Sequence, residues 1–290
     1  MKTIVLQEPG QLRLTETQPP HAPPPGSAVV RVHRVGICGT DWHAYHGRQP
    51  FFSYPRIIGH ELGVEIEAVN DPEKASKLAV GDRCCVEPYL NCGKCIACRR
   101  GHQNCCMNLQ VMGVHVDGGM RERFVVPLAK LHRSAKLSME QLALVETLGI
   151  GCHAVDRGRP EAGETALVIG AGPIGLSVIP FLQAAGVKVL VTDVSASRLE
   201  FCQAAMRVFV GLFQGDVTFV DPQFHRREVT LLASRNSLPR DFERIIKLVE
   251  DGAIDTGPWI THRAGCEELI KEIPRWLSPD ARVIKAIVEF

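Results

Sequence analysis

Four cysteines in one short stretch are the residues of this chain with the clearest chemistry. Cys92, Cys95, Cys98 and Cys106 are separated by two, two and seven residues. This spacing allows four thiolates to surround one tetrahedral Zn²⁺ ion, and a site with four sulfur ligands has no open position for a substrate. The pattern therefore predicts a structural zinc site that fixes a loop, with incidental cysteines or disulfides as the alternative.

A second set of metal-binding residue types is spread more widely along the chain. Cys38 and His60 stand 22 positions apart. A catalytic zinc requires three protein ligands and one exchangeable position, and a thiolate with an imidazole supplies two of the three. Glu146 is the predicted third ligand, because a lone carboxylate in an apolar run is costly to bury unless it is paired or ligating. Taken singly, Cys38 and His60 would be ordinary core residues, but together they favour a metal.

A glycine-rich loop predicts a binding site for a dinucleotide. Residues 165–169 read as a buried parallel strand, and an apolar helical stretch, 176–185, follows the loop. Between them stand Gly170, Gly172 and Gly175. The first glycine permits a tight turn, the second lets a pyrophosphate approach the backbone, and the third allows the helix to pack closely on the strand. We expect NAD or NADP to bind at this loop.

The strand after this loop favours NAD as the cofactor. Residues 187–193 form a second apolar run that ends in Asp193, 18 positions after Gly175. A carboxylate at this place hydrogen-bonds the adenosine 2′-hydroxyl group and repels a 2′-phosphate.

Composition excludes several classes of protein. The chain has 290 residues, with 33 basic and 32 acidic side chains. This length suggests two domains, and the charge balance offers no electrostatic surface for nucleic acid or for a membrane. The first residues lack the apolar core of a signal peptide, and no apolar stretch reaches the 18 residues that could span a bilayer. Eleven cysteines in such a chain favour the reducing cytoplasm.

The order of these motifs resembles that of the zinc-containing medium-chain alcohol dehydrogenases, and most closely their sorbitol, threonine and sugar-acid dehydrogenase branch. The resemblance rests on the stretch 38–43, the Gly-His-Glu triplet 59–61, the four cysteines and the glycine loop. It implies an α/β protein in which a GroES-like β-barrel catalytic domain is joined to a shortened Rossmann-type parallel sheet. The catalytic domain would comprise residues 1–147 and 234–290, and the NAD-binding domain residues 148–233.

The resemblance also implies roles for individual residues around two zinc ions. Cys38, His60 and Glu146 would ligate the catalytic zinc, and a glutamate at position 146 is what points to the polyol branch. Glu61 would lie beside the metal as an outer or alternate ligand. Asp41 would accept the ring N–H of the zinc-bound histidine and so fix its tautomer.

The same resemblance implies a proton relay and a contact with adenine. The Thr40 hydroxyl would pass the substrate proton toward the cofactor ribose and His43, unless His43 is a plain surface residue. Arg198 resembles a position beside the adenine, although a solvated helix arginine is an equal alternative.

The chain departs from the family in its second domain. Only about 86 residues separate position 148 from position 233, which is too few for six strands with their crossovers. About 50 residues are missing relative to the family, and they correspond to strands 3 and 4. Residues 207–212 resemble the fifth strand. This loss threatens the cofactor site but not the zinc ligands.

The remaining sequence predicts a return to the first domain. Residues 229–233 read as a strand, and 239–252 as an amphipathic helix with an apolar stripe at 242, 245, 246 and 249. Residues 217–220 and 229–232 resemble the hairpin through which family members form dimers or tetramers. Two functions remain open: a zinc- and NAD-dependent dehydrogenase of a secondary alcohol, or a non-catalytic homologue that zinc stabilises.

Overall fold

A computed structural model describes residues 1–50, 52–205, 226 and 230–290. By contact density these residues form two compact units. The first unit is Met1–Gly149 with Asn236–Phe290, and the second is Ile150–Arg235. The predicted fifth strand at 207–212, the hairpin arm at 217–220 and residue 229 lie outside the described residues.

Strands and short helices alternate along the described chain. The strands are β1 (Lys2–Glu8), β2 (Gln11–Glu16), β3 (Ser27–Ile37), β4 (Glu61–Asn70), β5 (Arg83–Val86), β6 (Tyr89–Leu90), β7 (Gln110–Val111), β8 (Arg123–Pro127), β9 (Leu131–Arg133), β10 (Thr165–Ile169), β11 (Lys188–Thr192), β12 (Ile260–Gly265) and β13 (Lys285–Glu289). The α-helices are α1 (Gly39–Tyr45), α2 (Ile96–Arg99), α3 (Met139–Gly158), α4 (Pro173–Ala184), α5 (Ala196–Ala205), α6 (Pro239–Glu250) and α7 (Leu269–Trp276). The predicted α/β class is confirmed.

A seven-stranded sheet organises the first unit, in the order β12, β13, β3, β4, β5, β9, with β8 also paired to β3. The strand β3 is long enough to pair with two strands in succession: Ser27–Arg31 pair with β8, and Arg34–Ile37 pair with β13. Its opposite edge pairs with β4. Among the described residues the sheet is open, because the strands at its two ends, β12 and β9, do not pair with each other. The predicted barrel is therefore not closed by strand hydrogen bonds.

The core of this unit lies against that sheet. Val30 and Val32 on β3, Leu62 and Val64 on β4, and Val288 on β13 are each at most 1% exposed. Burial of such side chains contributes roughly 1.5 to 3 kcal/mol apiece. The sheet is therefore a rigid support for the residues at its strand ends.

The predicted amphipathic helix is confirmed as α6. Its buried residues include all four of the predicted stripe, Phe242, Ile245, Ile246 and Val249. Leu238 precedes the helix as its N-cap residue, and Pro239 takes the first turn, where its missing N–H is harmless. None of the helices in the described ranges has the length and apolar character needed to cross a membrane.

The second unit contains a two-stranded parallel sheet within the described residues. β10 and β11 pair in register from Thr165↔Lys188 to Ile169↔Thr192. Leu167, Ile169 and Leu190 on these strands are 61%, 72% and 50% exposed. Parallel sheets ordinarily have both faces covered. The predicted strands 165–169 and 187–193 are thus observed in a much reduced sheet.

The predicted strand at 229–233 is wrong for residues 230–233, which have no regular secondary structure. Its β-branched and apolar residues suggested a strand, but propensity alone does not supply a partner. Leu231 is 73% exposed and Leu232 is 49% exposed. Without a pairing strand in the described chain, the segment is solvent-exposed.

Candidate functional site

The pairing of β3 with β4 brings the first metal-binding residues together. Gly36 pairs directly with Glu61 across the two strands. Cys38 follows the end of β3 and is the N-cap residue of α1, while His60 immediately precedes β4. Since the strands are antiparallel, the end of one adjoins the start of the other. Two residues 22 positions apart in sequence thus lie at one corner of the sheet.

Cys38, His60 and Glu61 form a compact group of possible metal ligands. One ligand atom from each lies within 4.8 Å of the others. His60 is 5% exposed and Glu61 is fully buried. Glu61 Oε2 has no hydrogen-bond partner among the described residues. A buried, unpartnered carboxylate oxygen beside a thiol and an imidazole fits a divalent cation, because a bound ion would satisfy all three donors.

Asp41 lies behind His60 on the side of its Nδ1 atom. The distance from His60 Nδ1 to Asp41 Oδ1 is 3.8 Å, and the other carboxylate oxygen accepts a hydrogen bond of 2.9 Å from the Cys38 backbone N–H. Burial raises the pKa of Asp41. Burial would lower the pKa of His60, but Cys38 and Asp41 reverse this and hold it well above its usual value. Asp41 thus hydrogen-bonds the backbone of Cys38, while its other oxygen and His60 Nδ1 have no hydrogen-bond partner among the described residues. The predicted hydrogen bond from the His60 ring to Asp41 stays a prediction.

Lys285 pairs with Glu61 inside the protein. Its ammonium donates to Glu61 Oε1 and lies 3.3 Å from the backbone oxygen of Ile37. The two side chains are 1% and 0% exposed. Burial acts to lower the pKa of Lys285, but Glu61, together with Cys38 and Glu146, outweighs burial and raises it. One oxygen of Glu61 is therefore neutralised by a cation, and the other is left without a partner.

Glu146 lies outside the compact group and is bound by a tyrosine. It occupies α3, is 5% exposed, and accepts a hydrogen bond at Oε1 from the hydroxyl group of Tyr89. Burial raises the pKa of Glu146, and the neighbouring His60 opposes that effect. The carboxylate is therefore near enough to His60 to act on it electrostatically. Its role as third zinc ligand stays a prediction.

The two predicted relay residues share helix α1. Thr40 and His43 are both half-buried and stand three positions apart. Side chains with this spacing are neighbours on a helix surface. The structure thus places Thr40 two residues and His43 five residues after Cys38, on the helix that Cys38 caps.

The four cysteines of the predicted structural site converge. One sulfur from each lies within 4.8 Å of the others. Cys95 Sγ lies 3.5 Å from Cys98 Sγ and 3.8 Å from Cys106 Sγ. Four sulfurs about 2.3 Å from a tetrahedral zinc lie about 3.8 Å apart, so the spacing fits that ion. All four are free thiols, which sets disulfides aside within this group.

Backbone N–H groups surround these thiols. The N–H groups of Cys92 and Asn108 lie 3.3 Å and 3.4 Å from Cys106 Sγ. Hydrogen bonds from the backbone of Cys98 and Met107 lower the pKa of Cys95 to about 6. Such donors favour the thiolate, the form that binds metal.

The glycine loop of the second unit has the geometry of an anion site. Gly170 has φ +108°, a left-handed conformation that favours glycine. Gly172 is the N-cap of the 12-residue helix α4, with no side chain capping it. A Cβ atom built at Gly172 would meet nothing within 4 Å, and Gly175 is buried in the first turn. The loop thus leaves open space beside free helix N–H groups, which fits a pyrophosphate.

Asp193 closes this loop at the end of β11. Its two carboxylate oxygens accept hydrogen bonds of 2.6 Å from the Ala171 N–H and 2.7 Å from the Ser195 N–H. Arg198 Nη1 lies 3.8 Å from Asp193 Oδ2. The predicted acidic residue and its neighbouring arginine therefore lie together beside the glycine loop.

Two residues of the site were not predicted from the sequence. Lys285 stands in an apolar run, where a single charge should be paired, and this was the same signal that selected Glu146. Tyr89 carried no comparable signal, since its partner lies 57 positions away.

Comparison with known proteins agrees with this fold. Residues 24–136 match the alcohol dehydrogenase GroES-like domain. The L-galactonate-5-dehydrogenase of Escherichia coli K12 is 34% identical over 340 positions, which cover 100% of this chain and 99% of the relative. The D-altritol 5-dehydrogenase of Agrobacterium fabrum is 35% identical over 257 positions, covering 87% of this chain and 74% of the relative.

A solved structure shows the same overall fold. The alcohol dehydrogenase rspB of E. coli CFT073, complexed with NADH, superposes with a TM-score of 0.91 at 27% identity, covering 100% of this chain and 99% of that one. The chain belongs to the zinc-type medium-chain alcohol dehydrogenase family. The 340 positions aligned with the L-galactonate-5-dehydrogenase exceed the 290 residues of this chain by 50, which agrees with the predicted internal deletion.

Proposed function

We propose that this chain is a zinc- and NAD-dependent dehydrogenase that oxidises a secondary hydroxyl group of a polyol, a sugar acid or a similar small alcohol. The observation that carries the proposal is the group of half-buried Cys38 with buried His60 and Glu61, whose ligand atoms lie within 4.8 Å of one another. The names of the relatives, which act on galactonate and altritol, support the substrate class.

The residues proposed to hold the catalytic zinc are Cys38, His60 and Glu146, with Glu61 beside it. The structural zinc would be held by the four cysteines Cys92, Cys95, Cys98 and Cys106. When bound, zinc supplies a Lewis acid that lowers the pKa of a substrate hydroxyl group, and NAD supplies the hydride acceptor.

The protein's own part is to orient these groups and to move a proton. Asp41, beside His60 Nδ1, fixes the tautomer and orientation of the ring. Lys285 holds Glu61 through one oxygen, which keeps that carboxylate in place at the buried corner of the sheet. The Thr40 hydroxyl group accepts the substrate proton and passes it toward His43, one turn along α1.

The glycine loop and Asp193 are proposed to bind NAD. Gly170, Gly172 and Gly175 let the pyrophosphate approach the N-terminus of α4. Asp193 selects NAD over NADP by charge, and Arg198 lies beside it at the adenosine end. We propose residues 148–233 as the NAD-binding domain, residues 1–147 with 234–290 as the catalytic domain, and a homodimer or homotetramer as the assembly.

The direct test is NAD⁺ reduction by the zinc-loaded, full-length chain with a panel of polyols and sugar acids. We expect turnover with at least one secondary alcohol and its loss in Cys38→Ser. A folded chain that carries two zinc ions and reduces NAD⁺ with none of the panel would contradict the proposal.

A second function is favoured by the reduced sheet of the second unit. Within the described residues this unit has only β10 and β11 as strands, and 50 positions of a relative have no counterpart. A chain of this kind could keep both zinc sites and bind dinucleotide poorly. Titration with NADH decides between the two: unchanged NADH fluorescence and melting temperature at millimolar NADH, with two zinc ions retained, would favour the non-catalytic homologue.

A further inference from the structure

The short strand β6 places a tyrosine against the carboxylate of Glu146. The Tyr89 side chain is 3% exposed, and its hydroxyl group donates to Glu146 Oε1. Its ring meets that of the fully buried Phe242 edge-on, with centroids 6.5 Å apart and an angle of 72° between the planes. A buried ring that is packed against another ring has little freedom to move its hydroxyl group.

The backbone around Tyr89 is fixed by neighbouring hydrogen bonds. Tyr89 pairs with Val111 on β7, and the Glu87 N–H donates to the Lys130 carbonyl oxygen at 2.8 Å. The Met112 N–H donates to the Pro88 carbonyl oxygen at 3.0 Å. The tyrosine is therefore held on both sides of its position in the chain.

Polar side chains on either side of Tyr89 are anchored as well. Glu87 accepts from the Lys130 ammonium, which also donates to Asn91 Oδ1 at 3.0 Å. Asn91 Nδ2 lies 3.8 Å from Cys98 Sγ of the four-cysteine site. Glu87 and Asn91, two positions before and after Tyr89, thus both bind the Lys130 ammonium. The segment that carries Tyr89 is thus tied at its far end to a cysteine of the structural site.

Glu146 lies on a helix face whose adjacent residues are largely apolar, so the hydrogen bond from Tyr89 is what directs its Oε1 atom. Its neighbours Leu144, Val145 and Leu148 on α3 are fully buried and apolar. A glutamate has three rotatable side-chain bonds, and burial without hydrogen bonds leaves its oxygens poorly directed. A partner outside the ligand set that holds one atom of a metal ligand also directs the remaining atom.

The two buried carboxylates differ in the charge of the group that holds them. The Lys285 ammonium forms an ion pair with Glu61, whereas Glu146 is held by the neutral phenol of Tyr89. A divalent cation competes less with a phenol than with an ammonium for a carboxylate. The two carboxylates are therefore held by different groups, and Tyr89 is the hydrogen-bond donor that directs Glu146.

We propose that Tyr89 is a positioning residue that holds Glu146 Oε1 and leaves Oε2 as the oxygen available to the cation bound by Cys38 and His60. The inference rests on the proposed function, because it needs a second zinc site in this chain.

The experiment measures zinc retention by the full-length, zinc-loaded chain against a competing chelator. We compare Tyr89→Phe, Glu146→Gln and the double variant, with Tyr54→Phe as matched control. Tyr54 also donates its hydroxyl hydrogen bond, to the Ala44 carbonyl oxygen, so the control removes the same chemical group elsewhere in the unit. The visible spectrum of the cobalt-substituted protein reports the ligand geometry directly.

We expect Tyr89→Phe to weaken zinc binding at the Cys38 and His60 site roughly 10- to 100-fold and to shift the cobalt spectrum. The zinc of the four-cysteine site should be unaffected. In the Glu146→Gln background, Tyr89→Phe should add nothing, since its effect acts through Glu146.

Two results would overturn the inference alone. One is a wild-type chain that holds two zinc ions while Tyr89→Phe behaves like Tyr54→Phe. The other is an equal loss of zinc affinity when Tyr89→Phe is made in the wild-type chain and in the Glu146→Gln variant. A wild-type chain that keeps only the four-cysteine zinc would overturn the proposed function, and this inference with it.

Discussion

Lys285 and Glu61 form a fully buried ion pair that joins the last strand of the sheet to the metal-binding corner. The pair follows from strand order, because Ala286 on β13 pairs with Ile37 on β3. Glu61 lies opposite Gly36 on the same strand β3. Residues 224 positions apart in sequence therefore meet at one place.

Replacing Lys285 by methionine should destabilise the protein strongly. The change leaves Glu61 as a buried charge without its cation, which costs about 3 to 5 kcal/mol of unfolding free energy. Urea denaturation measures the loss. Lys247→Met is the control, because its partner Asp251 is exposed and such pairs contribute little. Equal unfolding free energies for Lys285→Met and Lys247→Met would contradict the prediction. So would a double variant, Lys285→Met with Glu61→Gln, that recovered none of the lost stability.

Gly36→Ala should disturb Glu61 by direct contact. A Cβ atom at this position would lie 2.1 Å from Glu61 Oε2 and 3.0 Å from its Cβ. The carboxylate must move, at a cost of about 1 to 3 kcal/mol, typical of overpacking. Thermal unfolding and zinc content test this. Gly158→Ala should be harmless, since its nearest neighbour lies 3.9 Å away, and equal behaviour of the two variants would argue against the close contact.

Cys106→Ser should remove one zinc ion per chain and lower the melting temperature. Structural zinc sites contribute directly to folding, and the loss of one sulfur ligand opens the site. The neighbouring Cys105 is exposed and outside the group of four, so Cys105→Ser serves as a control. Metal analysis of both purified variants gives the answer. A Cys106→Ser variant that keeps the same zinc content as the wild-type chain would contradict the predicted structural zinc site.

Asp193→Asn should shift the preference from NADH toward NADPH. The change removes the charge that repels a 2′-phosphate, and the ratio of the two affinities should move by roughly tenfold. Fluorescence titration with each cofactor measures the ratio, which is insensitive to any general loosening of the loop. Glu200→Gln on α5 makes the same chemical change at an exposed position and should leave the ratio unaltered. An unchanged ratio in Asp193→Asn would assign the cofactor choice to other residues.

Local patterns predicted much of this molecule, because their information lies within a few residues. The spacing of Cys92 to Cys106 was sufficient for the four-thiol group, and the apolar stripe from Phe242 to Val249 was sufficient for α6. The strand and glycine loop at 165–175 were equally local. Each of these elements depends on neighbours in sequence rather than on distant partners.

The features that could not be predicted from the sequence depend on long-range packing. The hydrogen bond from Tyr89 to Glu146 and the pair of Lys285 with Glu61 depend on strand order, which no single segment specifies. The open order of the seven-stranded sheet and the solvated segment 230–233 depend equally on which strands find partners. Pairing is a property of the whole fold, so single-segment propensity could not supply it.

The central claim is that Cys38 and His60, with a buried carboxylate, hold a second zinc ion. Anomalous diffraction at the zinc absorption edge, from crystals of the zinc-loaded full-length chain, tests it most directly. We predict two peaks per chain, one among the four cysteine sulfurs and one between Cys38 and His60. A single peak at the four cysteines, with no zinc between Cys38 and His60, would contradict the account.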